Sequence, residues 1–145
     1  RDHIYDTIVD ASPTGAIEFF HGYTYSGHPL ACAAGIATLD VYRNDDLFAR
    51  AAELAPYFES ALHSLSDVNN VIDVRNLGMM GAIELESIPG KPTFRAMDAF
   101  QKAFDAGLLI RTTGDTIALS PPLIIEKKQV DFIADTVRTV LNTVH

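Results

Sequence analysis

A doubled pattern limits the fold first. In VIDVRNLGMMGAIELE (71–86) and again in LLIRTTGDTIALSPP (108–122), a β-rich segment runs into a tight turn and out into a second β-rich segment. A turn that short joins antiparallel neighbours, because parallel strands need a crossover of a dozen residues or more. The first pair turns at Asn76-Leu77-Gly78, and the second at Gly114-Asp115. Between the pairs, TFRAMDAFQKAFDAG (93–107) places Met97, Phe100 and Phe104 on one helical face, with Gly107 as its C-cap. Beyond the second pair a helix starts near Glu126, with Val130, Ile133, Val137, Val140, Leu141 and Val144 on its core face. Ahead of the first pair, Leu47, Ala51, Leu54, Phe58, Leu62 and Leu65 recur at spacings of three and four. They predict an amphipathic helix of about 20 residues, which Pro56 is placed to kink. Asn44-Asp45-Asp46 reads as the break before it, with an Asp as N-cap. Antiparallel pairs alternating with helices make an α+β layer, an antiparallel sheet with helices on one face.

The first 44 residues have a different character. Ile4, Ile8 and Val9 share a short helical face, ASPTG (11–15) breaks it, and AIEFF (16–20) is a strand candidate. HGYTYSGH (21–28) then crowds four hydroxyl side chains and two histidines ahead of Pro29, a residue suited to the first turn of a helix. From Ala31 to Ala37 the residues are small on every side, apart from Ile36. This predicts a helix buried on several faces, with Cys32 as a buried spacer.

At 145 residues the chain is long enough for one domain with a real core. A net charge of -8 without a basic stripe argues against nucleic-acid binding. No apolar run is long enough to cross a bilayer, and no pattern of a secretory signal is present. The single Cys32 cannot form an intrachain disulfide, so a cytoplasmic setting is the default expectation. The sequence opens on Arg1 rather than Met, which suggests a piece of a longer polypeptide.

Two places could carry chemistry. Arg111 follows the apolar LLI segment beside a Thr- and Gly-rich turn, where a guanidinium can grip a carboxylate with a two-pronged fork. A solvated turn residue, or half of a surface ion pair, is the commoner outcome for such an arginine. Tyr23, Thr24, Tyr25 and Ser26 could surround a phosphate at the N-terminus of the next helix, or could simply cap that helix and satisfy loop backbone. His21 and His28 lack the companions of a metal site, and no metal is expected. G-x-S-x-G, P-loop and dinucleotide fingerprints are absent.

HGYTYSGHPLACAAGIATLDVY resembles the pyridoxal-phosphate-dependent class III aminotransferases of fold type I, and within them the omega-amino acid (β-alanine)–pyruvate branch. DVRNLGMMGAIELE is similar to that family's R-G-x-G-x-M-x-G-x-E-L segment, and GLLIRTTGDTIALSPPLII to a segment near its C-terminus. The resemblance covers essentially the whole chain but only the C-terminal third of such an enzyme. It implies an edge of the large cofactor-binding domain at 1–28, an interdomain helix at 29–44 and the C-terminal small domain at 45–145. It implies pyridoxal 5'-phosphate as cofactor and a homodimer or tetramer in which Thr24 binds the cofactor phosphate in the partner subunit's active site, with Tyr23 close by. Arg111 would hold the substrate carboxylate. The implied reaction moves an amino group from an omega-amino acid or amine to pyruvate. Relatives acting on γ-aminobutyrate, ornithine or the diaminopelargonate precursor are the alternatives, and a non-catalytic binding or assembly module is another. The family's Schiff-base lysine would lie upstream of Arg1, since Lys91, Lys102, Lys127 and Lys128 do not match its position. The chain alone is therefore expected to be inactive. Asn76 replaces the usual glycine before the turn, where a residue tolerant of left-handed backbone lets the turn survive.

Overall fold

A computed structural model describes residues 2–16 and 22–144. The AIEFF strand candidate and His21 therefore lie largely or wholly outside the described residues. The chain divides into two units, Arg1–Asp40 and Val41–His145.

The first unit holds helix α1 (Asp2–Asp10), the turn around ASPTG and most of helix α2 (Pro29–Asn44). Pro29 opens α2, as its missing N–H allows. No residue of α2 is buried: Leu30, Ile36 and Leu39 are all more than half exposed, and Cys32 is exposed too. This corrects the expectation of burial. A stripe of small residues permits close approach but does not itself provide the opposing surface.

The second unit is built on a four-stranded antiparallel sheet of order β1-β2-β4-β3. Its strands are β1 (Val71–Leu77), β2 (Met80–Leu85), β3 (Arg111–Thr113) and β4 (Thr116–Leu119). Helix α3 (Leu47–His63) packs on β1, α4 (Phe94–Asp105) on β3, and α5 (Lys127–Leu141) against both helices. Strand alternation sends Ile83 and Leu85 of β2 and Ile117 and Leu119 of β4 into the core. There they join Phe58 and Leu62 of α3 and Val130 and Val137 of α5. Gly81 lets α3 lie close: a Cβ there would run into Leu62 Cδ2 and stand 3.2 Å from Phe58 Cε1.

Several expectations need correction. α3 runs through Pro56 to His63 and ends in a 3-10 turn, Ser64–Asp67. Asp46 holds its N-cap position, but with left-handed backbone (φ 46°) and no side-chain capping bond. Asn76 is not in the turn. It pairs with Gly81 inside the β1–β2 ladder, and Gly78 takes the left-handed position at φ 56°. LLI precedes β3 rather than forming it, so Arg111 begins the strand. The core face of α4 is not its aromatic one. Ala96, Ala99 and Ala103 are fully buried and Phe100 is half-buried, whereas Met97 and Phe104 are more than half exposed. Gly107 does end that turn in left-handed backbone, at φ 85°.

Candidate functional site

Arg111 owes its place to the second hairpin. Gly114 (φ 59°) makes the turn, and Arg111 pairs with Ala118 across it. The hairpin is tied down beneath the turn. Asp115 accepts the Thr93 N–H at the start of α4 (3.1 Å), and its backbone carbonyl accepts the Leu85 N–H (2.9 Å). Next to Thr93 on α4, the buried Arg95 donates to the Glu86 carbonyl.

The ladder puts Arg75, Ala82, Ala118 and Arg111 in one row across the outer face of the sheet. The two arginines differ completely. Arg75 donates to Asp73 (2.5 Å) and Glu84 (2.7 Å), and these carboxylates hold its guanidinium above the ordinary arginine value. Arg111 has no hydrogen-bond or ion-pair partner among the described residues. Among the described residues it is also the only charged one lining a half-open cavity of about 590 Å³, whose walls include Leu109, Ile110, Leu119, Pro122 and Ile125. Arg111 is itself exposed, and its unpaired guanidinium beside apolar walls is open to a small carboxylate. Among the described residues Arg111 forms no surface ion pair, and it remains exposed at the start of β3.

The second place belongs to the other unit. Residues 24–27 form a turn: the Ser26 N–H donates to the Tyr23 carbonyl (3.0 Å) and the His28 N–H to the Tyr25 carbonyl (3.1 Å), with Gly27 at φ 74°. Sequence reasoning considered His28 only as a metal ligand, yet it caps α2. Its ring Nδ1 accepts the Ala31 N–H (3.4 Å) and its carbonyl the Cys32 N–H (2.9 Å). The Thr24 hydroxyl makes no hydrogen bond among the described residues and does not serve the cap. Tyr23 is 73% exposed. Thr24 lies five residues ahead of α2, a 16-residue helix whose N-terminus carries a partial positive charge. No group of three or more His, Cys, Asp or Glu residues that could hold a metal occurs among the described residues.

The lysines are committed elsewhere. Lys102 pairs with Asp98 (2.8 Å) and the Thr143 carbonyl (2.8 Å). Lys128 pairs with Glu126 (2.8 Å), which raises the amine's pKa and lowers the carboxylate's. Lys91 lies over the Phe94 ring and Lys127 over the Tyr57 ring. A nucleophilic amine needs the opposite setting, a desolvated site that favours the neutral form.

The second unit thus presents an unpartnered arginine on an antiparallel α+β fold, and the first a hydroxyl-bearing turn ahead of a long helix. The family can be stated outright. Residues 2–141 match the family model for aminotransferase class III, and the chain belongs to that family. It is 61% identical over 97% of its length to an omega-aminotransferase of Caulobacter vibrioides, covering 32% of that protein. It is 46% identical over 96% of its length to a beta-alanine–pyruvate aminotransferase of Pseudomonas aeruginosa, covering 31% of it. The chain thus spans about a third of the length of these curated relatives. Among solved structures, it superposes over its whole length on 34% of a PLP-bound amine transaminase from an uncultivated Pseudomonas species, with a TM-score of 0.79 and 30% identity.

No helix among the described residues is long and apolar enough to cross a membrane.

Proposed function

We propose that this chain is the substrate-carboxylate and cofactor-phosphate part of a transaminase that moves an amino group from an omega-amino acid, β-alanine-like, or an amine to pyruvate. The unpaired Arg111 guanidinium, the sole charge on its apolar cavity among the described residues, carries the reading. Both the keto acid and an omega-amino acid present a carboxylate, and one planar fork can hold either in turn. Bound pyridoxal phosphate supplies the aldehyde that takes up the amino group and the ring that takes up the electron pair. Thr24 holds the cofactor phosphate with its hydroxyl, in a homodimer or tetramer where it acts across the subunit interface, with Tyr23 beside it. In this reading residues 1–28 edge the large domain, 29–44 are the interdomain helix, and 45–145 are the small domain. The similarity to a beta-alanine–pyruvate and an omega-amino acid–pyruvate aminotransferase supports pyruvate as acceptor.

The test is a steady-state panel on the full-length enzyme loaded with cofactor. Arg111→Ala should raise KM for pyruvate roughly tenfold or more, since a hydrogen bond to a charged group is worth about 1.5–3 kcal/mol, and leave KM for a simple amine nearly unchanged. Equal effects on the two would refute the assigned role. Thr24→Ala should weaken cofactor binding by a similar factor, and an unaltered cofactor affinity would remove Thr24 from the site.

A further inference from the structure

The wall facing Arg111 is held by a residue far from it in sequence. After β4 the chain runs through Ser120-Pro121-Pro122 and Leu123-Ile124-Ile125 to α5. Pro121, Pro122, Ile124 and Ile125 all line the Arg111 cavity. The prolines donate no backbone hydrogen bond, and the Ile125 N–H closes only a local turn onto the Pro122 carbonyl (3.0 Å). The segment makes no strand or helix of its own.

Arg50, in the first turn of α3, supplies the missing anchor. Its Nε donates to the Leu123 carbonyl (3.4 Å), and one terminal nitrogen donates to the carbonyls of Ile124 (3.0 Å) and Ile125 (2.7 Å). One guanidinium thus gathers three consecutive carbonyls. Ile125 borders the Arg111 cavity and also the surface pocket lined by Arg50. Just beyond, the Glu126 N–H donates to the Gln129 side chain (2.7 Å), so α5 starts immediately where the clamp ends.

We propose that Arg50 is a positioning residue for substrate binding: by clamping the carbonyls of 123–125 it fixes the apolar wall against which Arg111 receives a carboxylate. The inference rests on the reading of Arg111 given above. The hydrogen bonds of Arg50 go to neutral carbonyls, so it orients backbone dipoles, while its charge also helps hold the nearby Glu126 carboxyl below its ordinary value. A lysine, a point charge without a planar fork, cannot span the same three acceptors.

The test uses the full-length, cofactor-loaded enzyme and four variants: Arg50→Ala, Arg50→Lys, Tyr57→Phe and Arg111→Ala. Tyr57 also ties α3 to α5, through its hydroxyl to Asp131 (2.6 Å), but does not touch the 123–125 segment. Arg50→Ala should raise KM for pyruvate roughly tenfold, the equivalent of about 1.4 kcal/mol, with kcat and the KM for a carboxylate-free amine little changed. Arg50→Lys should show the same split to a smaller degree, and it settles the matter if the alanine variant does not fold. Tyr57→Phe should lower Tm without splitting the two KM values. If Arg111→Ala splits the substrates and neither Arg50 variant does, the clamp has no role in binding and the inference is overturned. If Arg111→Ala itself shows no split, the reading of Arg111 falls and takes the clamp's role with it.

Discussion

At the scale of single residues, position in the ladder decides what a side chain can do. Arg75 and Arg111 stand in one row, yet flanking carboxylates consume the first and small or uncharged neighbours leave the second available. Gly81 shows the same dependence on place. It faces α3, and only the absence of a Cβ lets Phe58 and Leu62 pack against β2. Gly81→Ala should therefore destabilise the second unit by about 1–3 kcal/mol through overpacking, read as a fall in the urea midpoint with an unchanged m-value. A midpoint equal to that of the parent would mean that α3 can retreat at no cost.

At the scale of elements, α3 and α5 are joined by polar ties over an apolar seam. The Tyr57 hydroxyl donates to Asp131, and this hydrogen bond, with burial and the negative charges of Asp131 and Asp135, raises the phenol above its ordinary value of 10.0. A raised folded-state pKa means that the tie stabilises fully below the unfolded value and is lost as pH rises through the folded one. The stability difference between the parent and Tyr57→Phe should thus be constant from pH 7 to about 9 and shrink above 10, in urea titrations at each pH. A difference that grows with alkalinity would contradict this.

Elements were also where the sequence was most and least legible. The long apolar periods of α3 and α5 announced their faces correctly, because large aliphatic side chains at that spacing have nowhere else to go. On α4 the reading followed the largest side chains, Met97 and Phe104. The structure instead buries Ala96, Ala99 and Ala103, since a helix close to its neighbours has room only for small residues. The same small-residue signal on α2 suggested burial, yet no residue of that helix is buried. Of the proposed site, Thr24 and Arg111 could be singled out in the sequence because their motifs are local. Arg50 was not, because its partners lie 73–75 residues away and nothing in its spacing on α3 hints at them.

At the scale of the molecule, two units share one chain and carry different parts of the proposed chemistry, Thr24 in the first and Arg111 in the second. The second unit has its own core, onto which the sheet that carries Arg111 is packed. The central claim is that this unit receives the carboxylate. The most direct measurement follows the two half-reactions of full-length Arg111→Ala separately by stopped-flow absorbance, with a carboxylate-free amine in one and pyruvate in the other. The account predicts an amine half-reaction close to that of the parent enzyme and a pyruvate half-reaction whose apparent affinity falls roughly tenfold or more. Two half-reactions slowed to the same extent would contradict it.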